Sequence, residues 1–207
     1  MISGYWTGIG SRETPEDVMA LMVAVGKLMT DQGWVLRSGG ADGADSAFYA
    51  GSLQSDNFQN AKPYIYISWD GMSNSTTVYQ HDPGRGIYNA KLYDTWDEAN
   101  AIALSLRGSF ERLGWRGIAH HTRNVFQVLG HDLVTPSKFL MCWAIPVGKR
   151  GDRSKVKGGT ATAVKLAIHR NIEVINLYKN EEYNRAIRFL DKHGVVHQFQ
   201  FKPEEKQ

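Results

Sequence analysis

One cysteine, Cys142, is all the thiol the sequence holds. A single thiol closes no internal disulfide, and its setting in the apolar run KFLMCWA reads as a buried, inert side chain. That scarcity excludes a disulfide scaffold, dithiol redox chemistry and a cysteine-rich metal site. Long hydrophobic runs are missing too. No stretch approaches the roughly 18 consecutive apolar residues of a membrane span, and MISGYWTGIGSR lacks the basic start and apolar run of a signal peptide. The expectation is a cytoplasmic protein without membrane contact. Neither sign of charge dominates: the formal net charge is +3. That tilts the chain toward anionic partners without the lopsidedness of a dedicated nucleic-acid binder. Much of the excess lies in GKRGDRSKVKGG, residues 148–159, which reads either as a solvated surface loop or as a flap that closes over phosphate.

What is present is ordinary globular material. With 207 residues, 42% of them hydrophobic and 11% aromatic, the chain can bury one α/β core. Tyr5 to Thr7 is a short β-prone stretch, followed by GIGSRETPED with glycines, a proline and acids that suit a helix start. Val18, Leu21, Met22, Val25, Leu28 and Met29 recur at helical spacing over residues 15–31. WVLRSGG reads as a strand, DGADSAFYAGS as a helix and PYIYISW as a strand. From Asp70 to about Asp94 the pattern dissolves into Gly, Ser, Asn and Thr, a functional loop or a disordered insertion. A helix from Thr95 to about Leu106, a shorter helix over HHTRNVFQVLGHDL, and then SKFLMCWAI, GGTATAVKLAIHR, IEVINLY and EEYNRAIRFLDKH continue the alternation. The expected fold is a single Rossmann-like, doubly wound α/β domain. Its sheet is mostly parallel, helices cover both faces, and an insertion spans about 68–118.

Three glycine-bearing strand-to-helix turns stand out: TGIGSR (7–12), RSGGADGAD (37–45) and KGGTATA (157–163). In an open parallel sheet such turns share the carboxyl edge, where ligands bind at the switch of strand order. Each exposes backbone N–H groups at a helix N-terminus, and glycine lets a phosphate approach unhindered. None ends in the Gly-Lys-Ser/Thr of a phosphate loop, and GIGSRE lacks the third glycine of the dinucleotide fingerprint. Asp42 and Asp45 suit either helix capping or hydrogen bonds to ribose hydroxyls. Arg12 and Arg123 are the cations suited to phosphate oxygens.

TGIGSRETP with GWVLRSGGADGADSAFYAG, then TRNVFQVLGHDL, SKFLMCWA and GGTATAVKLAIHRNIEVINL, resemble in order the Rossmann-like domain of the DNA-processing protein A family. More broadly they resemble the SLOG superfamily, which also includes the LOG cytokinin-activating phosphoribohydrolases and sensor domains for NAD-derived nucleotides. The resemblance covers about residues 4–67 and 120–177. It implies phosphate contacts at Gly8, Gly10, Ser11 and Arg12, further contacts at Ser38, Gly39, Gly40, Ala41, Asp42 and Asp45, and more at Gly158, Gly159 and Thr160. Arg123 and Asn124 match the family's Arg-Asn pair. Where LOG-type enzymes carry a glutamate three residues after the threonine of their glycine-threonine turn, this sequence has Ala163, so the resemblance disfavours phosphoribohydrolysis. Many proteins of the superfamily act as oligomers, and the insertion's aromatics suit an interface between copies; a homo-oligomer is expected.

Three functions compete. The leading one is binding of a nucleotide-derived ligand, of the ADP-ribose, NAD-fragment or cyclic-nucleotide kind, by a sensor or sequestering protein that needs no cofactor. The second is a recombination mediator that holds single-stranded DNA along the same edge, with aromatics beside cations, such as Trp115 and Arg116 or Tyr88 and Arg85, for stacking. The third is a hydrolase of a nucleotide glycosidic or phosphodiester bond, for which Asp42, Asp45 and His121 are the candidate catalytic residues among His120, His121 and His131. The histidine spacing matches no metal signature, and no metal is assigned.

Overall fold

The computed structural model describes residues 2–147 and 155–203. Its strands are β1 (Gly4–Gly10), β2 (Trp34–Ser38), β3 (Tyr64–Ile67), β4 (Ile87–Asn89), β5 (Phe139–Trp143) and β6 (Glu173–Asn176). Its helices are α1 (Glu16–Asp31), α2 (Ala44–Leu53), α3 (Trp96–Arg107), α4 (Trp115–Leu129), α5 (Thr160–His169) and α6 (Asn180–Lys192). The strands form one sheet in the order β4-β3-β2-β1-β5-β6, each parallel to its neighbours. This is a Rossmann-like α/β fold, and the order reverses between β1 and β5.

Alternate strand residues feed two apolar layers, as a sheet covered on both faces requires. Trp6, Leu36, Ile65, Ile67 and Met141 pack with residues of α1, α2 and α6 on one face. Ile9, Tyr66, Leu140 and Cys142 pack with residues of α3, α4 and α5 on the other. Cys142 is fully buried, and burial pushes its thiol up to about 12, which keeps it protonated and unreactive.

Two sequence expectations change. The 70–94 stretch is not a plain loop: Ile87–Asn89 adds the edge strand β4 beside β3. The insertion's aromatics Tyr88, Tyr93, Trp96 and Phe110 pack, partly buried, against the second apolar layer. Helix α4 begins at Trp115, five residues ahead of the expected His120, and stops at Leu129, where Gly130 takes φ 81°. Of the basic stretch 148–159, residues 148–154 lie outside the described residues, and the flap reading with them.

Helices α1 and α2 cross backbone to backbone. A Cβ on Gly51 would overlap the Val23 carbonyl oxygen and stand 2.9 Å from the Lys27 nitrogen, and one on Gly26 would stand 2.5 Å from the Phe48 carbonyl oxygen. Gly51→Ala should therefore destabilise the fold by about 1–3 kcal/mol through overpacking, although alanine is the better helix former by about 1 kcal/mol. A lowered urea midpoint at unchanged slope is the expected result. An unchanged midpoint would show that the helices can separate freely.

Candidate functional site

The reversal of strand order opens a crevice at the carboxyl ends of β1 and β5. Both strands finish level, with Gly10 paired to Trp143 and the Ser11 N–H donating to the Trp143 carbonyl at 3.0 Å. A Cβ on Gly10 would lie 2.6 Å from Ala44 Cβ and 2.7 Å from the Trp143 carbonyl oxygen, so glycine is what lets α2 close onto the end of β1. The crevice holds about 380 Å³ and is lined by Gly10, Ser11 and Arg12 from the first turn, by Ala41 and Asp45 from the second, and by Gly158, Gly159 and Thr160 from the third. The three turns meet there. Helix α4 supplies the remaining wall through His120, His121, Arg123, Asn124 and Gln127.

Two hydrogen bonds tie α4 to the N-terminal turn of α5. Asn124 Nδ2 donates to the Gly159 carbonyl at 2.8 Å, and His121 Nδ1 shares a hydrogen with Thr162 Oγ1 at 2.7 Å. Under the crevice lies a buried ion pair, Arg123 Nη1 to Asp45 Oδ2 at 3.4 Å, with side chains 6% and 5% exposed. Asp45 Oδ1 also accepts from the Gly10 N–H at 3.1 Å. Gly39 makes room for the pair, because a Cβ there would overlap Arg123 Nη1 and stand 2.5 Å from Asp45 Oδ2. In the orientation that satisfies its neighbours, the Gln127 amide accepts from the Gly39 N–H at 2.9 Å and from Arg123 Nη1, and donates to Asn124 Oδ1 at 3.0 Å. Arg123 Nε is buried and keeps no partner among the described residues. Burial pushes the Asp45 carboxyl up, opposed by Arg123 and the Gly10 amide, and it lowers Arg123.

The rim carries free-standing charge. Lys157 reaches Glu13 at 3.3 Å with both side chains more than half exposed, a pair worth at most about 1 kcal/mol and easily surrendered to an anion. Arg12 is exposed beside it. His120 Nδ1 shares a hydrogen with Ser68 Oγ at 2.9 Å. Both histidines are pushed down to about 4, first by burial and then by nearby cations: Arg123 and Arg12 at His120, Arg107 and Arg123 at His121. Both rings are therefore neutral at pH 7.

Several expected contacts belong elsewhere. Asp42 is not among the residues that line the crevice; it accepts from Ser75 Oγ at 2.6 Å and the Ser75 N–H at 3.0 Å, bonds that pull its carboxyl below its usual range. Gly8 is a packing position: its Cβ would stand 2.8–2.9 Å from Leu36 and Phe48. Ser38 Oγ donates to the Gly8 carbonyl at 2.6 Å inside the sheet. Gly40, at φ +74°, faces Tyr79, and its carbonyl accepts from Asn74 Nδ2 at 3.0 Å. Ala163 is fully buried in the second apolar layer rather than on the crevice wall. His120, Gln127, Lys157 and Glu13 also line the crevice. Of these, His120 stood among the weighed histidines and Lys157 in the third glycine turn, while Gln127 and Glu13 carry no sequence signal.

The chain is thus a Rossmann-like α/β protein with an open, cation-rimmed crevice at its topological switch. No family model matches the sequence, and neither does any curated protein. Among solved structures, DNA processing protein A from Helicobacter pylori, described for its single-stranded DNA binding mode, is similar over 92% of this chain and 82% of its own. The identity is 12% and the TM-score 0.37, too low for the likeness to bear on function. No helix among the described residues is long and apolar enough to cross a membrane.

Proposed function

We propose that the protein binds a phosphate-bearing, nucleotide-type ligand in the crevice between β1 and β5. The observation that carries this reading is the meeting of three glycine-bearing turns around one cavity of about 380 Å³, a volume within the range of small-molecule sites. The phosphate would lie at the N-terminus of α5, where Gly158 and Gly159 leave open space for it. Arg12 and Lys157 would supply charge. In the hydrolase reading Asp42 is held by Ser75 and Asp45 by Arg123 and Gly10, which leaves the neutral His121 as its candidate base. A sensor or sequestering role for an ADP-ribose, NAD-fragment or cyclic-nucleotide ligand fits a crevice built from three glycine-bearing turns. Single-stranded DNA is the second reading, favoured by the exposure of both rim cations.

Calorimetry with AMP, ADP-ribose, a cyclic nucleotide and a short oligothymidylate tests the proposal. At least one should bind more tightly than about 1 mM, and the Arg12→Ala/Lys157→Ala double variant should weaken it roughly tenfold or more. Binding that the double variant leaves unchanged would overturn the site. A polynucleotide should weaken steeply with salt, by about 0.7 in the log–log slope per phosphate contacted. A pocket for one nucleotide should give a shallow slope.

A further inference from the structure

The crevice continues past His120 onto an aromatic corner that phosphate binding does not use. Trp69 stands two residues beyond the end of β3, and Trp115 opens α4. Their ring centroids are 5.0 Å apart at 64°, and Trp69 lies 4.9 Å from the ring of His120, which lines the crevice. The Arg116 guanidinium sits over both indoles, 5.9 Å from the Trp69 centroid and 5.3 Å from that of Trp115. Trp115 is nevertheless 61% exposed. A large apolar ring held in place on two sides and open on another is arranged for a partner. Gly117, His120, His121, Arg123 and Asn124 carry the crevice along the same helix, so the corner and the phosphate end lie about two turns, roughly 12 Å, apart along α4.

We propose that Trp69, Trp115 and Arg116 form a base-stacking subsite, and that the ligand places an unpaired nucleobase on Trp115 while its phosphate lies in the crevice. This rests on the phosphate reading above. A flat indole face with a guanidinium beside it suits a planar heterocycle joined to negative charge, and stacking of this kind tolerates any base. It also explains a tryptophan, rather than a polar residue, at the first position of α4.

Ribose 5-phosphate, ADP-ribose, which is long enough to span the two ends, and a short oligothymidylate distinguish the parts. ADP-ribose should bind roughly five- to 150-fold more tightly than ribose 5-phosphate, the worth of one stacked base, and should quench tryptophan fluorescence where ribose 5-phosphate does not. Trp115→Ala, at an exposed position that does not hold the core, should remove that advantage and the quench while leaving ribose 5-phosphate affinity unchanged. Trp115→Tyr should restore much of the affinity advantage, though not the quench, since the indole that reports it is gone. If oligothymidylate alone shows the Trp115-dependent gain, the base belongs to a polynucleotide. Equal binding of ADP-ribose and ribose 5-phosphate overturns the subsite and leaves the crevice standing. Equal weakening of both by Trp115→Ala also overturns it. If none of the three binds, the crevice reading falls and the subsite with it.

Discussion

Asp45→Ala should cost the fold about 3–5 kcal/mol, the usual loss when one partner of a buried ion pair is removed. Asp45 and Arg123 are both almost fully shielded from water, and Asp45 accepts from Arg123 and from the Gly10 N–H. Without the carboxylate the guanidinium remains buried with its Nε already bare, and the Gly10 N–H at the crevice floor loses its acceptor. Asp45→Asn keeps an acceptor for Gly10 but not the charge, and should fall between wild type and alanine. The double variant Asp45→Ala/Arg123→Leu removes the stranded charge and should recover at least half of the loss, giving a coupling near the 3 kcal/mol end of the measured range. Urea unfolding of wild type, Asp45→Ala, Arg123→Leu and the double variant supplies the cycle. A single-variant loss below about 1 kcal/mol would mean that water reaches the pair, and the account of Gly39 would go with it.

The sheet was legible because its strands bury both faces. Runs such as YIYI and FLMCW are apolar throughout, which only a doubly covered parallel sheet accommodates. Strand β4 was not, because three residues, Ile87 to Asn89, give no period to detect, and their pairing comes from β3 rather than from propensity. The first turn of α4 was hidden for a similar reason. Gly117 lowers its intrinsic helicity, and its ring contacts are made to Trp69, more than forty residues back in the sequence.

The site divides along the same line. Glycine-bearing turns announce themselves locally, so the meeting of Gly10, Gly158 and Gly159 at one sheet edge is readable from the sequence. Side-chain roles were not, because they depend on partners far away in sequence. Arg123 lies 78 residues from Asp45, so neither sequence segment alone announces their ion pair. Asp42 is claimed by Ser75, 33 residues on. Gly39 looked like a phosphate-binding glycine, yet its bareness serves the guanidinium packed against it.

Acid should loosen the protein as the pH falls below about 6.5. His120 and His121 are held near 4 in the fold, below the ordinary 6.5 that they regain on unfolding. The unfolded chain therefore takes up protons first. The stability these neutral rings contribute is complete above about pH 6.5 and drains away as pH falls from there to about 4. Full shifts in both would be worth several kcal/mol, and because each ring keeps some solvent contact the combined loss should be about 2–4 kcal/mol. Unfolding free energy measured from pH 7 to 4.5 should fall along that window, and a His120→Gln/His121→Asn double variant should flatten the slope. An identical slope in the double variant would place the acid sensitivity elsewhere. The same coupling reaches the crevice. An anion beside His120 favours its proton, so sulfate, whose charge is constant over this range, should raise the wild-type melting temperature more at pH 5 than at pH 7. In His120→Gln that difference should shrink, because the ring that would have charged in response to the ligand is gone.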